Sequence, residues 1–127
     1  MPRFIILEHT AAPDDPAGRH YDLLLETGAA CRTWRLAHLP DQGGAAVAAV
    51  ELAPHRLVWL DHEAGEVSGG RGFARRVEGG AYDLLVGDAG DLGAATTFVL
   101  AVHGGRMTGR LRLTAVDAGW VITLTAG

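Results

Sequence analysis

Apolar residues along the chain gather in short runs whose periodicity predicts strands rather than helices. Residues 3–9 (RFIILEH) read as a first strand that ends in a loop carrying Pro13, Asp14, Asp15, Pro16 and Gly18. Residues 20–26 (HYDLLLE) read as a second, Thr27-Gly28 is a turn signal, and 30–38 (ACRTWRLAH) follow as a third. Pro40 and Gly43-Gly44 break the chain again. The segment 45–52 (AAVAAVEL) is ambiguous, since its alanines suit a helix while Val47 and Val50 suit a strand. Residues 55–61 (HRLVWLD) read as a strand.

The stretch 62–72 (HEAGEVSGGRG) holds four glycines and reads as a loop. Short strands at 73–78 and 81–86 are expected on either side of Gly79-Gly80, then a flexible stretch over 87–95. Strands at 96–103, 106–116 and 120–125 complete the pattern, with turns at Gly104-Gly105 and Asp117-Ala118-Gly119. Eight to ten strands joined by short turns predict an all-β fold, an antiparallel barrel or sandwich. Neither a repeat nor an interdomain linker is visible, so residues 1–127 are read as one domain.

Composition narrows the class. Hydrophobic residues are 48% and charged residues 20% of the 127, which excludes an intrinsically disordered chain. No apolar run approaches the roughly 18 residues a membrane helix needs. The basic start Met1-Pro2-Arg3 leads into an apolar stretch that Glu8 interrupts, too short for a signal peptide, so a soluble cytoplasmic domain is expected. The single cysteine, Cys31, excludes an internal disulfide framework and a multi-cysteine zinc site. All eleven basic residues are arginine, as a GC-rich genome would favour. The net charge of −4 argues against coating nucleic acid by bulk electrostatics but leaves room for a local basic groove.

His9, His20 and Asp22 are the candidates for chemistry. His20 and Asp22 are two apart in a strand and so share a face. His9, ending the preceding strand, completes a set of two imidazoles and a carboxylate if the strands pair. Such a set suits Mn²⁺, Fe²⁺, Zn²⁺ or a similar ion. Other residues rank lower. His62 reads as a surface residue or proton shuttle, and His103 as structural. Cys31 and Ser68 lack a base at readable spacing, and Trp34 and Trp120 read as core. No GxGxxG or Walker-type loop is present, so no nucleotide cofactor is expected.

The wider pattern resembles the 3′-phosphoesterase domain of bacterial DNA ligase D, as a short stand-alone relative. The resemblance is carried by His9 ending the first strand, by His20-Tyr21-Asp22 with Leu25-Glu26, and by Trp34. It continues through His55, Leu57, Trp59, Asp61 and Glu63, the Gly79-Gly80-Ala81-Tyr82 segment, and the closing strands FVLAVHGGRMTGRLRL and WVITL. It implies a compact β-barrel of about eight strands with a concave polar site. The implied activity is removal of a terminal ribonucleoside and then the 3′-phosphate from DNA or DNA/RNA 3′ ends during repair. A ligase or polymerase of the same pathway is the implied partner, without a membrane. By position, His9, His20 and Asp22 would be metal ligands, with Mn²⁺ the expected ion. His55 would contact the scissile phosphate, and Trp59 stands in the place of a phosphate-contacting tyrosine.

Departures from the family pattern fall at polar positions. Leu24 replaces an arginine, Leu7 a glutamine and Ala53 an acidic residue, while His38 aligns loosely with a lysine. Each loss removes a contact worth about 1.5–3 kcal/mol when it is charge-assisted. Arg71, within Ser68-Gly69-Gly70-Arg71-Gly72, is the expected replacement for the missing guanidinium, with Arg75 and Arg76 close behind. Arg110 and Arg112 share one strand face, either solvated or lining a nucleic-acid track. An alternative to the enzyme is a metal- and nucleic-acid-binding barrel that serves repair as an accessory module.

Overall fold

The structure, a computed structural model, describes residues 1–88 and 92–126. Its strands are β1 (Arg3–Thr10), β2 (Arg19–Glu26), β3 (Ala30–Leu36), β4 (Val47–Arg56), β5 (Ala64–Glu66), β6 (Phe73–Gly87), β7 (Thr97–Gly104), β8 (Thr108–Val116) and β9 (Gly119–Thr125). All pairings are antiparallel, and they run β1-β2-β3-β4-β9-β8-β7-β6 before β6 returns to β1. The eight strands therefore close a barrel, its seam between β4 and β9 being the shortest of these pairings, over Val47–Ala49. β5 is an outside strand, paired among the described residues only with the start of β6. Among the described residues, no helix is long and apolar enough to cross a membrane.

Alternation along each strand fills the barrel. Phe4 and Ile6 of β1, Leu23 and Leu25 of β2, and Trp34 and Leu36 of β3 point into one core, where they meet Leu100, Leu111 and Ile122. Trp34 and Trp120 pack edge-on at 5.3 Å, and the Arg32 guanidinium lies 5.0 Å over each ring. Arg32 also donates to the carbonyls of Leu92 and Ala95 and pairs with Glu51, so its charge is satisfied while its stem covers aromatic surface. Both tryptophans are core residues, as expected.

The structure resolves one ambiguous segment and departs from the sequence pattern at four others. The ambiguous 45–52 joins a strand that runs on to Arg56. The expected strand at 55–61 is instead the end of β4 followed by a 3₁₀ turn, Leu57–Asp61. Leu57 and Leu60, three apart, eclipse in such a turn, so both meet the barrel while Val58 stays exposed. Gly79-Gly80 does not turn the chain. It lies inside the single long strand β6, where β1 and β7 press from both sides. The expected loop 62–72 contains β5. Within the expected flexible stretch 87–95, Leu92–Ala94 forms a second 3₁₀ turn and residues 89–91 lie outside the described ones.

Gly80 is the tightest of these positions, because a Cβ there would sit 2.1 Å from the carbonyl oxygen of His103. Gly80→Ala is therefore expected to force β6 and β7 apart and to lower stability by about 1–3 kcal/mol. Urea unfolding checks this: the midpoint should fall with little change in slope.

Candidate metal centre

Register builds the site. β1 and β2 pair so that His9 lies opposite His20, Leu7 opposite Asp22, and Ile5 opposite Leu24. These residues occupy the outer face of the barrel wall, since their neighbours Ile6, Leu23 and Leu25 fill the interior. The 3₁₀ turn and the segment 62–72 cover that face as a flap. Leu60 and Val67 pack there on Ile5, Leu7, Leu24, Cys31 and Ala74, with Leu57 and Trp59 at the margin. Leu7 and Leu24 are thus part of a second apolar layer; Leu24 is completely buried. That explains why no polar side chain stands at either position.

Beside this layer, His9, His20 and Asp22 converge. One ligand atom from each lies within 4.8 Å of the others. His9 Nδ1 is 3.6 Å from Asp22 Oδ2, and His20 Nε2 is 3.5 Å from Asp22 Oδ1. The outward-facing nitrogen of each ring is already committed. His20 Nδ1 lies 2.8 Å from Asp15 Oδ2, and His9 Nε2 lies 2.6 Å from the Arg71 carbonyl. Both partners are acceptors, so each of those nitrogens carries the proton and donates it. The lone pairs of neutral His9 Nδ1 and His20 Nε2 then turn toward Asp22.

Among the described residues, His20 Nε2 and Asp22 Oδ1 are buried without a hydrogen-bond partner. Two lone pairs and a carboxylate facing one another in a nearly dry place are unfavourable unless a cation lies among them. A proton is one such cation. Burial lowers the His20 pKa, but Asp22 and Asp15 outweigh burial and hold it above the usual imidazole value. A divalent ion is the other, and the donor set fits one: two imidazole nitrogens, a carboxylate, and outer hydrogen bonds that fix both rings.

The trio opens onto a cavity of about 750 Å³. His9, Asp22, Arg35, His55, Trp59 and Arg71 all line it. The sequence-predicted site residues therefore come together, with His20 immediately behind Asp22. His55, from β4, donates Nδ1–H to the Ala53 carbonyl at 3.1 Å, which leaves Nε2 as its spare nitrogen, and its ring packs edge-on to Trp59 at 6.3 Å. The Arg71 guanidinium is held by Ser68, through the carbonyl at 2.7 Å and the hydroxyl at 3.0 Å. Its backbone carbonyl, rather than its side chain, is what reaches His9. Gly72 makes this possible: it has φ +94°, and a Cβ there would meet the Thr10 carbonyl at 2.3 Å.

The lower-ranked residues lie outside the trio. His62 stacks on Trp59 at 4.8 Å and donates to the Ala74 carbonyl, pinning the flap. Arg76 does the same through Glu63 and the Leu60 carbonyl, and Arg75 pairs with Glu8. His103 pairs with Asp83 on the surface, and Arg110 and Arg112 are exposed on β8 and do not line the cavity. Two site residues escaped the sequence reading. Arg35 lies directly opposite Asp22 across β2 and β3. Its signal was alternation: Trp34 and Leu36 point inward, so Arg35 must point out beside Asp22. Asp15 left no comparable signal, because its role depends on how the loop 11–18 folds back.

Compared with known proteins, the chain matches no family model and no curated sequence.

Titration with Mn²⁺ or Zn²⁺, followed by calorimetry, should show one site lost in His20→Ala. Asp15→Asn keeps the shape but weakens the acceptor, and should reduce affinity about 10–100-fold. The pH dependence has a fixed sign. The ion needs neutral His20, whose pKa is raised, so affinity should hold at alkaline pH and fall as pH drops through that raised value. Without metal, the raised His20 pKa adds stability below the ordinary imidazole value, and this is lost as pH rises past the folded one.

Proposed function

We propose that the chain is a divalent-metal-dependent phosphoesterase that trims the 3′ ends of DNA or DNA/RNA, with removal of a 3′-ribonucleoside and a 3′-phosphate. The convergence of His9, His20 and Asp22, the first and last of which line a cavity that also presents His55, carries this reading. The resemblance to the ligase D domain, drawn from the same residues, supports it. A bound Mn²⁺ or similar ion would supply Lewis acidity toward a phosphoryl oxygen.

The chain's own groups supply the rest. The cavity is lined by three arginines, Arg35, Arg56 and Arg71, against two carboxylates, Asp14 and Asp22. A chain of net charge −4 thus carries a locally basic recess, which draws in a phosphate without coating the whole surface. His55 holds one nitrogen on Ala53 and keeps the other for a substrate oxygen. That nitrogen is placed to exchange a proton with the departing oxygen. Trp59 offers a flat apolar face beside it, suited to a sugar or base.

A non-catalytic accessory module that grips metal and nucleic acid, working beside a ligase or polymerase, is the second reading. The apolar identity of Leu7 and Leu24 favours it, since both lie in the apolar layer next to the trio and bring no polar group to it.

One assay decides between them. Purified protein is incubated with Mn²⁺ and a primer-template ending in a ribonucleotide or a 3′-phosphate, and the appearance of 3′-hydroxyl ends is followed. Turnover should vanish with EDTA and fall at least about 100-fold in His20→Ala and in His55→Ala. Metal or DNA binding without any turnover would instead support the accessory module.

A further inference from the structure

Among the three arginines that line the cavity, Arg35 is the one built into the wall. It sits on β3 directly across from Asp22, and its side chain is 29% exposed. Its Nε is buried and has no hydrogen-bond partner among the described residues. At the other end of the guanidinium, Nη1 is 3.5 Å from Asp14 Oδ2, and that carboxylate is 71% exposed on the loop 11–18. So loose and solvated a pair holds weakly. Arg71, by contrast, has spent its guanidinium on Ser68, and Arg56 is exposed at the cavity's edge. A planar cation with an unsatisfied buried donor, beside a group that needs a cation of its own, is matched to an oxyanion with two or more acceptor oxygens.

We propose that Arg35 is the phosphate anchor of this cavity, and that Asp14 occupies its guanidinium when no anion is bound. An incoming phosphate displaces the Asp14 carboxylate, takes the fork of Arg35, and thereby lies alongside the ligand trio. Asp14 and Asp15 are consecutive, so the loop that releases Arg35 is the same loop that holds His20. This assignment rests on the reading of the cavity as a phosphoester site. It adds the residue that recognises the phosphate.

Inorganic phosphate titrated into the metal-free protein, followed by calorimetry and by ³¹P line broadening, tests it without reference to turnover. Arg35→Ala should weaken phosphate binding at least about tenfold. Arg35→Lys, which keeps charge and stem but lacks the fork, should fall between. Asp14→Asn should tighten binding severalfold, a gain that damage to the fold cannot produce. Equal phosphate affinity in wild type and Arg35→Ala, or no phosphate binding by the wild type, overturns the proposal. If 3′-end turnover is found and depends on His20 but phosphate affinity ignores Arg35, the anchor falls and the phosphoesterase stands. If phosphate binding depends on Arg35 and no turnover exists, the anchor stands and the enzyme falls.

Discussion

The rest of the structure depends on β1 and β2 being buried on both faces. One row of each strand fills the barrel, through Phe4, Ile6, Leu23 and Leu25. The other row, Ile5, Leu7 and Leu24, lies beneath the flap with Leu60 and Val67. Each large side chain so covered contributes about 1.5–3 kcal/mol, so the flap is held by a small core of its own. Its edges are tied down by Arg3 on Asp61, Arg76 on Leu60 and His62 on Ala74. The ionisable residues stand where this dry layer ends. Water is scarce there, and hydrogen bonds and charges act more strongly than on an open strand face.

Two loops from different parts of the chain then complete the trio. The loop 11–18 contributes the Asp15 carboxylate behind His20, and the flap contributes the Arg71 carbonyl behind His9. Neither loop supplies a ligand. Each supplies an acceptor that fixes a proton on the far side of an imidazole, and so decides which nitrogen faces inward. The ligand set is a property of the whole neighbourhood and not of a three-residue motif.

Much of this was legible in the sequence. Alternating polarity around HYDLLLE placed His20 and Asp22 on one face, and a hairpin between the first two strands was enough to bring His9 across. The all-β architecture followed from short runs and frequent turns, which left barrel and sandwich open; closure was what the resemblance implied. What was hidden depended on partners far along the chain. Gly79-Gly80 looks like a turn until Gly80 is seen wedged between Phe4 and Gly104. The segment LVWLD is β-prone by composition, and only the apolar floor on β1 and β2 makes a 3₁₀ turn the better way to bury Leu57 and Leu60. Arg35 stands between the inward-pointing Trp34 and Leu36, and its place beside Asp22 depends on the register of β2 against β3.

Oily and ionisable rows share the same two backbones, and this couples the chemistry to the packing. Sliding β2 by one residue against β1 would turn His20 and Asp22 into the lumen and push Leu23 and Leu25 out toward the flap. Single insertions or deletions within 3–10 or 19–26 would thus dismantle core and ligand set together, whereas length changes confined to Pro16 and Ala17 would leave both rows in place. The geometry of the trio is as hard to alter by drift as the barrel itself.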